Sequence, residues 1–155
     1  MINQRKNRII ALLPMKANSS RVPGKNFRDF CGKPLYRWIL DTLLEISEID
    51  QVIINTDARS LLEEKGLPIS DRILIRDRKP EICGDDISMN LVLSDDIMNS
   101  EADLYLMTHT TNPLLKKNTI INALDQFRSS TDTIDSIFSV TKHQTRFYSQ
   151  EGNPI

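Results

Sequence analysis

The sequence has few cysteines, little glycine and no excess of charge of either sign. Its 155 residues carry 20 Lys and Arg against 21 Asp and Glu, which leaves a net charge of −1. Nucleic-acid-binding domains usually carry a strong positive balance, so we expect no nucleic-acid partner. The apolar stretch at residues 9–13 is too short for a signal-peptide core or a membrane span. We therefore expect no membrane partner.

The two cysteines, Cys31 and Cys83, lie too far apart for the short spacings of metal-ligand pairs. A chain of this length does not need a disulfide to stabilise its core. We expect two reduced thiols, buried or half-buried, in a cytoplasmic protein.

Apolar runs of strand length alternate with longer stretches of helical period. This alternation predicts successive βα units and an α/β fold with a mostly parallel sheet. The predicted strands are residues 9–13, 52–55, 73–75, 103–108 and 134–140. The predicted helices are residues 34–46, 58–65, 87–99 and 117–128. No flexible linker interrupts this order, so we expect one nucleotide-binding domain over residues 1–155.

The first predicted strand and the first helix are joined by residues 15–33, whereas α/β units commonly use about 2 to 6 residues. This loop holds five cations and one acid. In an open parallel sheet, ligands bind beyond the carboxyl ends of the strands. The composition predicts a cradle for a triphosphate, and a solvated basic loop without a ligand is the alternative. The only two glycines here, Gly24 and Gly32, do not match a Walker or dinucleotide-binding pattern.

Residues 13–26, LPMKANSSRVPGKN, resemble the opening signature of the cytidylyltransferases that make CMP-sialic acid and related CMP-sugars. The resemblance continues at residues 32–35, 55–57, 78–88 and 110–114. It implies a Rossmann-like three-layer nucleotidyltransferase fold with a mostly parallel sheet. It also implies transfer of CMP from CTP to an acidic sugar, a sialic-acid-like nonulosonate, with release of pyrophosphate.

The resemblance assigns roles to individual positions. Lys16 and Lys25 would stabilise charge on the phosphates, and Arg21 matches the related branch that activates ketodeoxyoctonate. Phosphoryl-type transfer depends mostly on positioning and on cations near the phosphate oxygens, which these residues can supply. Arg78 would contact the cytosine. The full set of expected nucleotide-binding residues is Pro14, Met15, Lys16, Asn18, Ser19, Lys25, Asn26, Arg78, Ile87 and Ser88.

The segment after the fourth predicted strand is expected to bind the sugar through His109, Thr110 and Thr111. His109 stands where the family usually has glutamine. A histidine of ordinary pKa, about 6.5, can act as a base toward a sugar hydroxyl, and a hydrogen-bonding or packing role is the alternative. His143 lies in a polar segment, where a surface position is expected.

The family's magnesium ligands and most of its dimer contacts fall beyond Ile155, so the resemblance implies Mg²⁺ and a homodimer without showing the residues involved. The chain is therefore expected to be a fragment or a short homologue that lacks the family's C-terminal part. Asp57, Asp85 and Asp86 are expected to cap helices.

Two other functions remain open. The chain could be a nucleotide-binding module without turnover, or another sugar nucleotidyltransferase that uses UTP or CTP. The second group favours a glycine-rich opening, whereas Ala17, Asn18, Ser19 and Ser20 fill this loop.

Overall fold

The structure is a computed structural model that describes residues 7–142 and 144–155. It divides into two compact units, Met1–Ile121 and Asn122–Ile155. The expectation of a single domain over the whole chain stays a prediction. His143 lies outside the described residues, and so does any test of its surface position.

The predicted elements of residues 9–128 appear in the predicted order, and among the described residues the first unit holds six strands, two of which, at residues 29–30 and 33–34, were not predicted. The strands are β1 Ile9–Leu12, β2 Asp29–Phe30, β3 Lys33–Pro34, β4 Gln51–Thr56, β5 Ile73–Asp77 and β6 Leu104–Met107. The helices are α1 Leu35–Leu44, α2 Arg59–Glu64, α3 Met89–Met98 and α4 Lys117–Arg128. No helix in the described part of the chain is long and apolar enough to cross a membrane.

Four strands form a sheet in the order β5-β4-β1-β6. Every neighbouring pair in it is parallel, with Ala11 opposite Val52 on one side and opposite Leu106 on the other. The predicted α/β fold with a parallel sheet is confirmed. The chain moves from β1 outward to β4 and β5, then returns to the other side of β1 for β6. That reversal is the topological switch point of the sheet, where such folds bind ligands.

The centre of the sheet explains the apolar character of the first strand. Residues 9–13 are at most 1% exposed, as expected for a parallel strand covered on both faces. Each such aliphatic side chain stabilises the fold by about 1.5–3 kcal/mol relative to exposure. On α1 the buried residues are Tyr36, Ile39, Leu40 and Leu43. Leu35 and Trp38, which the periodicity placed on the inner face, are only half-buried.

Helix α3 also presents a different face from the predicted one. Leu91 and Ile97, two apolar residues whose helical spacing predicted a buried face, are 52% and 42% exposed. The buried positions are Val92 and Asp96. The predicted inner face consisted of apolar residues alone. In the structure Asp96 of α3 faces the sheet, where Asn55 is a buried hydrogen-bonding partner.

The long loop after β1 contains a small hairpin made by β2 and β3. Its two central residues, Cys31 and Gly32, have φ of 54° and 91°. Positive φ at both positions is typical of the tight turns that match the twist of paired strands. This turn places Cys31 at the surface, so the expectation of a buried or half-buried thiol is wrong there. Cys83 is half-buried as expected, and both thiols are free.

The strand predicted at 134–140 is absent from the second unit, in which these residues form no ladder with any described residue. Phe138 and Val140 are 82% and 78% exposed. A β-branched and aromatic run becomes a strand only when a neighbouring edge accepts its backbone hydrogen bonds, and the second unit offers none. By contrast, α4 has the predicted bounds.

Candidate nucleotide site at the carboxyl end of the sheet

A cavity of about 250 Å³ lies in the first unit beyond the carboxyl ends of the parallel strands. The loops that follow β1, β5 and β6 all contribute to it, because parallel strands end at the same edge of the sheet. Residues predicted for the site supply ten of its lining positions, namely Pro14, Met15, Lys16, Lys25, Asn26, Arg78, Ile87, His109, Thr110 and Thr111. The remaining lining residues are Ile82, Gly84, Asp85, Met89 and Val92.

Four other predicted residues do not line this cavity. Asn18 and Arg21 are exposed, and Ser19 is half-buried. Ser88 caps α3, where its hydroxyl oxygen accepts a hydrogen bond from the Asn90 amide at 3.3 Å. The nucleotide contacts expected of these residues stay predictions.

The loop after β1 is fastened to β4 by backbone and carboxylate groups. The Met15 amide donates to the Asn55 carbonyl at 3.0 Å, which extends the ladder past the end of β1. The Ala17 amide donates to Asp57 Oδ1 at 2.7 Å. Asp57 therefore holds the loop, and the prediction that it caps α2 is wrong, because Ala58 occupies the cap position without a side-chain hydrogen bond.

Asn26 joins the loop after β1 to the loop after β6. It is 3% exposed, and its Nδ2 donates to the Lys16 carbonyl at 2.8 Å. Its Oδ1 accepts a hydrogen bond from Thr110 Oγ1 at 2.7 Å. Both ends of the amide are thus engaged within the protein. The hydrogen bonds fix the cavity floor on which a nucleotide would rest.

The two cavity lysines have different surroundings. Lys25 begins a 3₁₀ turn whose cap, Gly24, has φ of 61°, a left-handed conformation that glycine adopts without strain. Lys16 forms an ion pair with Asp85. Asp85 was predicted to cap a helix together with Asp86, but Ser88 is the cap of α3, so that prediction is wrong.

Arg78 follows β5 and is anchored by three hydrogen bonds. Its Nε donates to Asn55 Oδ1 at 2.9 Å, and its Nη2 donates to the Met15 carbonyl at 3.0 Å and to the Asn55 carbonyl at 2.9 Å. Protein groups therefore hold the guanidinium in one orientation. A planar donor group held in this way suits recognition of a flat base edge.

Asn55 and Asp96 support this arginine and were missed by the sequence analysis. Both are 0% exposed, and Asn55 Nδ2 donates to Asp96 Oδ1 at 2.8 Å. Burial raises the pKa of Asp96, against the opposing effects of Asn55 and Arg76. The one sign of this pair in the sequence is Asn55, a polar residue directly after the aliphatic run of β4. A buried polar residue needs a hydrogen-bonding partner, so this position indicates that one is present.

On the other side of the cavity, His109 is exposed and Thr110 is buried.

No group of three or more His, Cys, Asp or Glu residues that could hold a metal ion is present among residues 7–142 and 144–155.

Comparison with known proteins places these features in context. A family model described as cytidylyltransferase matches residues 10–153. The pseudaminic acid cytidylyltransferase of Campylobacter jejuni subsp. jejuni serotype O:2 is 25% identical over 155 residues, which cover 94% of this chain and 65% of the relative. The 3-deoxy-manno-octulosonate cytidylyltransferase of Christiangramia forsetii is 26% identical over 79% of this chain and 46% of the relative. The chain spans about half to two thirds of the length of these relatives.

A solved structure of CMP:2-keto-3-deoxy-manno-octonic acid synthetase complexed with CTP is similar with a TM-score of 0.63 at 20% identity. The match covers 80% of this chain and 48% of the other. At that identity the similarity concerns the fold. It confirms the predicted Rossmann-like nucleotidyltransferase fold.

Proposed function

The chain belongs to the cytidylyltransferase family, and from this premise we propose that it takes part in transfer of CMP from CTP to an acidic sugar, with release of pyrophosphate. The observation that carries the proposal is the cavity at the switch point of the sheet. It brings Lys16 and Lys25 of one loop to the same space as Arg78 and His109 of two others. Relatives that act on pseudaminic acid and on 3-deoxy-manno-octulosonate support an acidic sugar as the acceptor. A sialic-acid-like nonulosonate is the acceptor we favour, because the pseudaminic acid enzyme matches over 94% of the chain.

In this proposal the triphosphate lies along the loop after β1. The sugar hydroxyl attacks the α-phosphorus and releases its proton to solvent, the bond between the α-phosphorus and the oxygen that bridges to the β-phosphorus breaks, and pyrophosphate leaves with the electrons of that bond. Lys16 and Lys25 stabilise the negative charge that grows on the phosphate oxygens and the leaving group. Lys16 must exchange Asp85 for phosphate oxygens when CTP binds. Arg21 is assigned to the same charge, although it is exposed outside the cavity of the unliganded chain.

The cytosine is assigned to Arg78 and to the turn that ends at Ile87 and Ser88. Arg78 has its Nε and Nη2 committed to Asn55 and Met15, so its remaining edge is available to a base. The sugar is assigned to the segment after β6. There Thr110 donates to Asn26, which leaves His109 and Thr111 as the exposed polar groups toward the acceptor.

We also propose Mg²⁺ as cofactor, a homodimer and cytoplasmic residence. No step of the mechanism above is routed through the metal, because the described residues provide no donor cluster for it. Two unpaired thiols fit a reducing compartment.

Calorimetric titration with CTP, UTP, ATP and GTP tests the nucleotide assignment. We expect CTP to bind more tightly than either purine nucleotide, because Arg78 and the turn before Ile87 form a small site suited to a pyrimidine. Equal affinity for the purines would remove the cytosine assignment. Equal binding of UTP and CTP would favour the alternative of another sugar nucleotidyltransferase.

The reaction itself is tested by pyrophosphate release from CTP in the presence of sialic, pseudaminic or 3-deoxy-manno-octulosonic acid. We expect release with at least one of these acids and none with neutral sugars. CTP binding without product from any acid would leave a nucleotide-binding module as the function of this chain.

A further inference from the structure

The polar groups behind Arg78 form a buried chain that continues from the cavity into helix α3. Arg78 Nε donates to Asn55 Oδ1 at 2.9 Å, and Asn55 Nδ2 donates to Asp96 Oδ1 at 2.8 Å. Asn55 lies near the end of β4 and Asp96 in the last half of α3, 41 residues further along the sequence. Neither is exposed to solvent.

The hydrogen bonds that join Arg78, Asn55 and Asp96 are satisfied in only one arrangement of donors and acceptors. Arg78 has only donors, so the asparagine must present its oxygen to it. An asparagine amide can be flipped at little cost in shape, which would put its NH₂ group against the guanidinium. A carboxylate has only acceptors, so it binds the NH₂ end of Asn55 and excludes the flipped state. Asp96 thus selects the orientation in which Asn55 holds Arg78.

The cost of keeping Asp96 buried indicates that it does more than fill space. A buried carboxylate is unfavourable unless it is paired and hydrogen-bonded. Here Arg76 lies 3.0 Å from Asp96 Oδ1, but Asp96 Oδ2 receives no hydrogen bond from any described residue. The neighbouring Asp95 pairs with Arg76 at 2.8 Å and with Lys79 at 2.5 Å. Arg76 would therefore keep an ion pair with Asp95 even if residue 96 were not a carboxylate.

We propose that Asp96 and Asn55 are positioning residues that orient the Arg78 guanidinium toward the base of the bound nucleotide. The inference rests on the proposed function in one respect, since Arg78 is assigned there to the cytosine. The phosphate loop does not depend on this chain of hydrogen bonds except through the Met15 carbonyl. Loss of Asp96 should therefore weaken contacts to the base and spare contacts to the phosphates.

The test compares CTP with inorganic tripolyphosphate as probes, using the full chain and calorimetric titration. In Asp96→Ala we expect CTP affinity to fall roughly tenfold, the change that accompanies loss of one hydrogen bond to a charged group. We expect tripolyphosphate affinity to stay within about twofold, since it has no base. A general loosening of the fold would lower both affinities together and would overturn the proposal.

The matched control is Asp95→Asn. Asp95 belongs to the same helix and also pairs with Arg76, but it does not contact Asn55. We expect this variant to keep its CTP affinity within about twofold of the unchanged chain. A loss of CTP affinity equal to that of Asp96→Ala would mean that the cluster acts only by its charge, and the positioning role would be wrong.

Exchanging the side chains of Asn55 and Asp96 tests the proposal even if Asp96→Ala does not fold. In Asp96→Asn the new amide can present either end to Asn55, and in Asn55→Asp two carboxylates face each other. In the double variant, a carboxylate at position 55 accepts from Arg78 and from the amide at position 96, while Arg76 loses its partner at position 96 and keeps its ion pair with Asp95. We expect each single variant to lose CTP affinity and the double variant to recover most of it. A folded double variant that recovers nothing would contradict the proposal.

The Arg78 Nε–H signal in a ¹⁵N NMR spectrum, assigned through its loss in Arg78→Lys, gives a readout that needs no nucleotide. We expect this signal to shift or broaden in Asp96→Asn and to stay in place in Asp95→Asn. An unchanged signal in folded Asp96→Asn would overturn the proposal. A chain that binds CTP no better than tripolyphosphate, but shows these spectral changes, would contradict the proposed function and leave the positioning role intact.

Discussion

At the scale of single residues, the two lysines of the cavity carry the proposed chemistry, and Lys25 is the better test of it. It begins the 3₁₀ turn after Gly24 and lines the cavity. Lys16 already has a carboxylate partner in Asp85. Lys25 is thus the cation whose contribution is simplest to interpret.

We predict that Lys25→Ala lowers turnover by roughly 100-fold or more, the cost of losing one preorganised group that stabilises transition-state charge. CTP affinity should fall less, because charge on the leaving group grows only during the reaction. Steady-state rates of pyrophosphate release and calorimetric CTP binding separate the two effects.

Arg28 is the matched control for this prediction. It is an exposed cation in the same loop and does not line the cavity. Lys33, another cation of this loop, is less suitable because it pairs with Asp41 at 2.6 Å and lies 4.2 Å from the centre of the Trp38 ring. Equal losses in Lys25→Ala and Arg28→Ala would mean that the loop acts only through its net charge.

At the scale of elements, helix α3 carries two adjacent carboxylates whose pKa values move in opposite directions. The hydrogen bond from Lys79, together with Arg76, lowers the pKa of Asp95 below its usual 3.8. Burial raises the pKa of Asp96 above 3.8. Ionised Asp95 therefore favours the folded state, and its contribution is complete above pH 3.8 and lost as the pH falls through its folded pKa. Ionised Asp96 disfavours the folded state, and that cost grows as the pH rises above 3.8.

We predict that the two asparagine variants differ in the sign of their pH dependence. The stability lost in Asp95→Asn, relative to the unchanged chain, should increase as the pH rises toward neutrality. The loss in Asp96→Asn should decrease over the same range, because the substitution removes a group that is costly to ionise. Urea denaturation at a series of pH values measures both. The same sign in both variants would contradict the assigned environments.

Some of the helices and strands could be predicted from the sequence, and others could not. Strands β1, β4 and β6 and helix α4 were predicted from apolar period and length, and the structure confirms them. On α1, Ile39 and Leu43 are buried as predicted, whereas Trp38 is amphipathic and only half-buried. The inner face of α3 was not predicted, because Asp96 is buried against polar partners. Residues 134–140 have strand composition without a partner strand in their unit.

At the scale of the whole molecule, the charge balance hides a local asymmetry. The net charge is −1, yet Lys16, Lys25 and Arg78 line one cavity. A polyanion would be attracted by this local field, which salt screens over about 10 Å at 0.1 M and about 3 Å at 1 M.

We predict that CTP affinity weakens roughly tenfold between about 0.05 M and about 0.5 M salt, because the cavity is partly open to solvent. Calorimetric titration at several salt concentrations checks this. Uncharged cytidine, which would use the base site alone, should show little dependence on salt. A flat CTP affinity over this range would mean that the loop is not the triphosphate cradle.

Local patterns along the chain were enough to predict the order of the main strands and helices over residues 9–128, the parallel sheet and the loop that carries Lys16 and Lys25. Period, strand length and turn chemistry are local properties, so they can be read along the chain. The folded chain alone shows that Asn55 and Asp96 stand behind Arg78, that Asp57 holds the loop after β1, and that Arg21 lies outside the cavity. These contacts depend on the strand order β5-β4-β1-β6, which joins residues distant in sequence by pairings that no local pattern records.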